Sequence, residues 1–356
     1  MRNYADQLQE YKFFYQGPRP ASITMKDERP AFIRHHSTLR DWNAYCAYSG
    51  SDETFTLISS VGKDLGLKRI GIHHEILLPE KRSSWPHAHK VEEEFVYILN
   101  GKPDIWINGR SYQAEPGDIV FFKPGSNYSH TIINNTSENV ELLVLGEQET
   151  NDDQIYYPHH PDRNLECKNG GYLWEDRPEV KRGEHNGGPG DRSVEAGKWK
   201  FQKNISGIQE KTNGGEEDKY RVFTKGKDLG REFGAERVAL HHVTLPTGYR
   251  SSIPHAESLE EEFVFVLIGN PIAWINGERF QLKEGDSVAL PSGTGVLHTF
   301  LNESGKTVEF IMSGDTWKSG NKYIYGVNPE LEREHKDYWW SDWPEQKLKD
   351  QSSDCS

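Results

Sequence analysis

The chain repeats itself at a fixed interval. The stretch "HHEILLPEKRSSWPHAH" from His73 is answered by "HHVTLPTGYRSSIPHAE" from His241, and the offset of 168 positions holds without a gap to His130 and His298. Pro103 and Pro271, the "WING" segments at Trp106 and Trp274, the Gly-Asp pairs at Gly117 and Gly285, and "HTIIN" against "HTFLN" all keep that register. Roughly half of the positions between His73 and Asn134 are identical in the two copies, which restricts the chain to two versions of one fold. Outside this span "GKDLG" recurs at Gly62 and Gly226, which reads as the same register shifted by a four-residue insertion, and "YYPHHP" from Tyr156 is echoed by "IYGVNP" from Ile324. The segment "KRGEHNGGPGDRSVEAGK", rich in glycine and charge and poor in large apolar residues, reads as a linker. The expected organisation is a first domain over 30–180, a linker over 181–198 and a second domain over 199–345.

Each copy reads as strands. Runs such as "EFVYIL", "DIWING", "DIVFF" and "VELLVLG" are rich in Val, Ile, Phe and Trp, and turn signals ("NGKP", "NGR", "EPG", "KPGSN") separate them without helical periodicity. An all-β sandwich or barrel follows. Helices are expected only near the ends, in "ADQLQEYKFF" and "NPELEREHKDYW". The stretch around 160–200 carries no decisive pattern.

Composition narrows the partners. The formal net charge is −13 and no block of clustered Lys and Arg is present, which argues against a nucleic-acid surface. Nothing approaches the ~20 apolar residues of a membrane span or the apolar core of a signal peptide, so a cytoplasmic protein is expected. Cys46, Cys167 and Cys355 are odd in number and widely spaced, as in a reducing compartment.

The chemistry concentrates around Trp85–Gly101. His87 and His89 are two apart, so on a strand their imidazoles share a face and could grip one ion. The H-x-H fragment alone is weak evidence. Its company strengthens it: Glu94 follows, then Gly101, and after "GDIVFFKPG" come His130 and Asn134. Three imidazoles and one carboxylate suit a divalent transition metal such as Fe, Mn, Zn, Ni or Co, with coordination positions left open. If Glu94 faces the ion, Val96 and Ile98 point the same way; if Glu93 does, Phe95, Tyr97 and Leu99 do. The spacing to Gly101 selects Glu94 and leaves the neighbouring glutamates for solvent.

These residues resemble the cupin superfamily, whose two motifs are G-x5-H-x-H-x(3,4)-E-x6-G and G-x5-P-x-G-x2-H-x3-N. His87, His89, Glu94 and Gly101 match the first motif, and Gly117, His130 and Asn134 the core of the second. Lys81 stands where the leading glycine belongs, and the segment from Pro124 to His130 is about two residues longer than the pattern. The resemblance implies tandem double-stranded β-helix (jelly-roll) barrels, a bicupin, with the metal in the lumen and a small-molecule substrate or ligand beside it. Cupins commonly pair through their sheets, so it also implies either a homodimer or two barrels that mimic one. Dioxygenases, decarboxylases and isomerases share such sites, as do non-catalytic binding modules.

The second copy is altered. Its matching positions are His255, Glu257, Glu262 and His298, one imidazole having become a carboxylate. It could hold a harder metal ion, use Glu257 as an acid or base, or be a structural half with Glu257 paired to His255. Three further features repeat. Arg82 and Arg250 could clamp a substrate carboxylate or form ion pairs. One histidine of each pair, His73-His74 and His241-His242, could line the lumen as an acid or base. Trp106 and Trp274 pack a core ahead of an Asn-Gly hairpin.

Overall fold

The computed structural model describes residues 28–39, 48, 50–148, 152–179, 185–190, 194–316 and 318–344. The helix expected in "ADQLQEYKFF", Cys46, Cys355 and the tail "KLKDQSSDCS" lie outside the described residues.

The first copy builds one barrel. A six-stranded sheet runs in the order Gln202–Asn204, Asp118–Phe122, Glu94–Asn100, Val140–Glu147, Ile70–Leu77, Leu57–Ser59, and a four-stranded sheet in the order Lys81–Arg82, His130–Asn134, Asp104–Ile107, Arg110–Gln113. The inward-facing set is Leu77, Val96, Ile98, Ile105, Val120, Phe122, Ile132 and Leu142, packed as one core. Val96 and Ile98 therefore follow Glu94 inward, as the spacing to Gly101 required. Phe95 and Phe121 face the other way, stack at 4.5 Å, and meet Phe233 from the short helix Leu229–Phe233. Both faces of the sheet are thus covered, which is why its strands read as nearly continuous apolar runs.

The second barrel repeats this plan. Its larger sheet runs Ile33–His35, Asp286–Leu290, Glu262–Ile268, Val308–Asp315, Val238–Leu245, Phe223–Asp228, Lys211–Gly214, and its smaller one Glu278–Gln281, Ile272–Ile275, His298–Leu301. Val243, Leu245, Val264, Val266, Val288 and Phe300 fill its interior. In both barrels the buried tryptophan precedes an Asn-Gly turn in which both residues have positive φ: 48° and 88° at Asn108 and Gly109, 48° and 90° at Asn276 and Gly277. That is the type I′ geometry expected of "WING".

Pairing registers correct the extent of the repeat. Leu57 lies opposite Ile76 and Lys225 opposite Thr244, so the 168-residue offset persists upstream with no insertion. The "GKDLG" echo is a coincidence: Gly62 is in the helix Val61–Asp64, whereas Gly226 is in a strand.

The compact units interleave along the chain. One comprises His36–Ile208 with Leu229–Val238; the other comprises the described parts of Met1–His35, Gln209–Asp228 and Ala239–Ser356. Strand Ile33–His35 pairs with Asp286–Leu290, and Gln202–Asn204 pairs with Asp118–Phe122, so the strand preceding each copy completes the sheet of the other copy. The described part of 181–198 is tied to the first barrel: the Asn186 and Gly187 carbonyls accept from Arg82, and the Glu195 N–H donates to the Ser111 carbonyl. Gly187 has φ +70°, and a Cβ there would lie 2.7 Å from Pro86.

One helix fills a stretch whose pattern is undecided, and one expected helix takes another form. Pro161–Gly170 is an α-helix with Pro at its first position and Gly171 closing it in the left-handed conformation at φ 80°. "NPELEREHKDYW" forms two short 3-10 turns, Pro329–Arg333 and Lys336–Tyr338. No helix among the described residues is long and apolar enough to cross a membrane.

Candidate metal centre

The segments of the first barrel that carry the candidate ligands are fixed by their backbone. His87 and His130 exchange N–H···O=C bonds across an antiparallel bridge, and His89 sits opposite Ile155. Glu94 opens its strand opposite Gly146, where any Cβ would lie 2.4 Å from the Glu93 carbonyl, so glycine is required beside the carboxylate. Ligand atoms of His87, His89 and Glu94 come within 4.8 Å of one another. His130 Nε2 is 3.7 Å from Glu94 Oε1, too far for a hydrogen bond.

The protein directs the imidazole nitrogens. His87 Nδ1 donates to the Trp85 carbonyl at 2.8 Å, which leaves the Nε2 lone pair for a ligand. Burial, with the charges of His130 and His89, drives the His87 pKa down to about 3 and keeps the ring neutral. His89 Nδ1 is 2.7 Å from Asp153 Oδ2, while Asp153 Oδ1 accepts the Val91 and Glu92 N–H groups. Burial alone would lower the His89 pKa, but the Asp153 hydrogen bond and the surrounding carboxylates outweigh it, so the pKa is raised. For Glu94 burial pushes upward, and the imidazoles prevail, holding the pKa at about 2. His130 stacks on Phe122 at 3.7 Å, and both of its ring nitrogens are buried without a hydrogen-bond partner.

That orphaned pair of nitrogens is the fit test for an ion, because an unpartnered buried imidazole is costly unless something occupies its lone pair. His87, His89 and Glu94 converge, with His130 Nε2 next to the Glu94 carboxylate, and this donor set of imidazoles and a carboxylate fits a divalent transition metal. A cavity of 650 Å³ opens beside them, lined by Lys63, Asp64, His73, His89, Glu94 and Gln148 among others.

The remaining sequence candidates fall into place. His73 lines this cavity, whereas His74 is 1% exposed and lies 3.4 Å from Glu141. Arg82 is not a free clamp: Nε and Nη2 bind both oxygens of Glu53 at 2.7 and 2.8 Å, and Nη1 donates to two carbonyls. With Trp85, which also donates to Glu53 and is stacked between Tyr48 and His160, this ion pair braces the loop whose carbonyl orients His87. Glu93 is not solvated either; it is 4% exposed and accepts three backbone N–H groups, from Glu236, Arg237 and Val238.

Sequence reasoning missed two residues. Asp153, the carboxylate on His89, aligns at the same offset with Asn321, whose Oδ1 accepts from the Ser258 hydroxyl and the Leu259 N–H, just after the altered Glu257. Glu75 faces the lumen with His73 and Leu77, is 6% exposed, and has a buried Oε2 with no hydrogen-bond partner. Burial, reinforced by Glu94, pushes its pKa up to about 7. Its counterpart is Val243.

In the second barrel His255, Glu262 and His298 cluster, but His298 and Glu262 are closed on each other, and only His255 keeps a free Nε2. His298 Nε2 is 2.5 Å from Glu262 Oε2 and its Nδ1 is 3.0 Å from the Val296 carbonyl; His255 Nδ1 meets the Ile253 carbonyl. Glu257 lies outside this cluster, and Glu262 is the carboxylate that meets the imidazoles. The Glu257 Oε2 is buried without a partner, and burial next to Glu262, Glu260 and Asp315 raises its pKa. The adjoining cavity is smaller, 220 Å³, lined by His241, Glu257, Glu260, Glu262, Met312 and Asp315 among others.

A duplicated barrel of this plan, with histidine and carboxylate donors converging in the lumen, defines a bicupin. The cupin domain family model matches residues 73–146 and again 241–314, and the chain belongs to the cupin superfamily as a protein with two tandem cupin domains. Among solved structures, a protein of Pseudomonas aeruginosa described as a glyoxylate induced protein aligns with a TM-score of 0.54 at 14% identity, covering 85% of this chain and 95% of that one. A point variant of Bacillus subtilis oxalate decarboxylase aligns at 0.52 with 17% identity and 92% of each chain covered; a second variant aligns at 0.52 with 16% identity, covering 92% and 90%. At such identities the likeness is one of fold. No curated protein sequence matches the chain.

Proposed function

We propose that the chain is a metal-dependent enzyme whose first barrel holds one divalent transition metal through His87, His89, Glu94 and His130 and acts on a small oxygen-bearing substrate, as a dioxygenase, decarboxylase or isomerase. The observation that carries this reading is the buried, unpartnered His130 beside three further donors and a 650 Å³ cavity. Such an ion, when bound, polarises a substrate oxygen or, if it is iron, activates O₂. The chain's own residues do the rest. Asp153 and the Trp85 carbonyl orient two imidazoles, Phe122 walls the third, and His73 reaches the cavity that would receive the substrate.

The alternative is a non-catalytic metal or small-molecule binding module, and the narrower, internally paired second barrel favours it for that half. We further propose a cytoplasmic location, in keeping with three widely spaced cysteines, and a homodimer through the sheets as a partner the family allows. The test is anaerobic reconstitution with Fe, Mn, Co, Ni or Zn, followed by a screen of small acids, oxalate and glyoxylate included, and catechols for turnover and O₂ uptake. Turnover by one metal form supports the enzyme. Tight binding of an acid with no turnover in any form would support the module.

A further inference from the structure

We infer that Glu75 is the proton store of the first barrel, exchanging its proton with the substrate cavity through His73. This rests on the enzyme reading above and sharpens it, because a resident acid selects reactions that return a proton to the product, such as decarboxylation or isomerisation.

The geometry is specific. Glu75 and His73 alternate with His74 on the strand Ile70–Leu77, so both point to the face that carries Leu77, a member of the lumen core. Glu75 lies opposite Leu142, which in turn pairs with Ile98, so its carboxyl is buried on the core side of the sheet, with the Thr56 hydroxyl the polar side chain against it. Burial with one oxygen unpartnered favours the neutral acid over the carboxylate. Its Oε1 is 3.8 Å from His73 Nδ1, a gap that a small side-chain shift closes. His73 itself is 43% exposed on its side chain and opens into the cavity beside His89 and Glu94. The charged groups acting on the pair are Glu94 on Glu75, and Glu94, Asp64 and Lys63 on His73.

In the transfer the Glu75 O–H bond breaks and an N–H bond forms at His73 Nδ1. His73 Nε2 then releases its proton to an acceptor in the cavity, leaving Glu75 as the carboxylate. The reverse sequence recharges it from the cavity, so protons balance over a cycle. The second barrel has Val243 in place of Glu75 while keeping His241, so a carboxyl at this position is no requirement of the fold.

The test uses the full-length, metal-loaded protein and infrared difference spectroscopy. Wild type at pH 6 should show a protonated-carboxyl band that Glu75→Gln and Glu75→Val both lack. On mixing with D₂O that band should exchange at least about tenfold more slowly in His73→Leu, as expected when a relay is broken. Absence of the band, or exchange unaffected by His73→Leu, overturns the proposal. Glu75→Val carries the residue that the second barrel already accommodates, so it stands in if Glu75→Gln misfolds. Metal content, measured on the same samples, should be unchanged in every variant; loss of metal from wild type would instead count against the metal-enzyme reading.

Discussion

His130 and His298 hold the same register position in their barrels, yet one has two unpartnered ring nitrogens and the other is closed between Glu262 and the Val296 carbonyl. The contrast extends outward. Where the first barrel has His89 hydrogen-bonded to Asp153, the second has Glu257 near Asn321; where the first has Glu75, the second has Val243. These changes are mutually consistent, since an Asp beside Glu257 would have set two carboxylates against each other in a buried site. Duplication kept the frame and altered the charges inside it.

The sharpest way to break this comparison is His87→Ala with His89→Ala. Removing two of four donors should abolish tight binding in the first barrel, and mass-spectrometric metal analysis should fall by about one ion per chain. Unchanged metal content would mean the first site is wrongly assigned.

Glu75 gives the next largest effect. Its folded pKa lies above the ordinary value, so the folded state binds the proton more tightly. The penalty is absent below about pH 4.5, grows as pH rises through the window to about 7, and levels off near 3 kcal/mol. Denaturation of Glu75→Gln should show that slope flattened and the variant gaining on wild type at pH 8. Val243, at the matching position of the second barrel, does not titrate, and the raised pKa of Glu257 there contributes equally to wild type and variant, so the difference between them reports Glu75.

Asp153→Asn imposes the second barrel's residue on the first. Loss of a carboxylate behind a ligating imidazole should weaken metal affinity about 10–100-fold, measurable by competition with a chelator. Asn321→Ala should leave metal binding in the first barrel untouched. The smallest effect is expected from Glu257→Ala: metal stoichiometry should not change, because Glu257 lies outside the cluster of His255, Glu262 and His298. A drop by one ion would show that the second site recruits Glu257 on binding.

Much of this was legible in the chain. The repeat, the strand content and the convergence of His87, His89, Glu94 and His130 follow from spacing, because a β-strand's period is two and turn residues punctuate it. Glu94 was separable from its neighbours because a strand admits only alternate residues to one face. What stayed hidden depends on distant partners. Glu93 looks like a solvated member of an acidic run, and only the backbone of 236–238 shows why it is buried. Arg82 looks like a substrate clamp until Glu53 is found against it. Asp153 and Glu75 could have been found by asking where the copies differ in charge rather than where they agree.

The exchanged strands bear on how the molecule is made. Ile33–His35 leaves the ribosome among the first described residues, but its partner Asp286–Leu290 emerges only near the end. Until then Ile33–His35 waits unpaired, and the first barrel cannot close its own sheet before Gln202–Asn204 is synthesised. Pairings so remote in sequence are slow to form and expose strand edges meanwhile. Separating the two copies at 181–198 would therefore give each fragment the edge strand belonging to the other, and co-expressed halves should regain solubility that neither has alone.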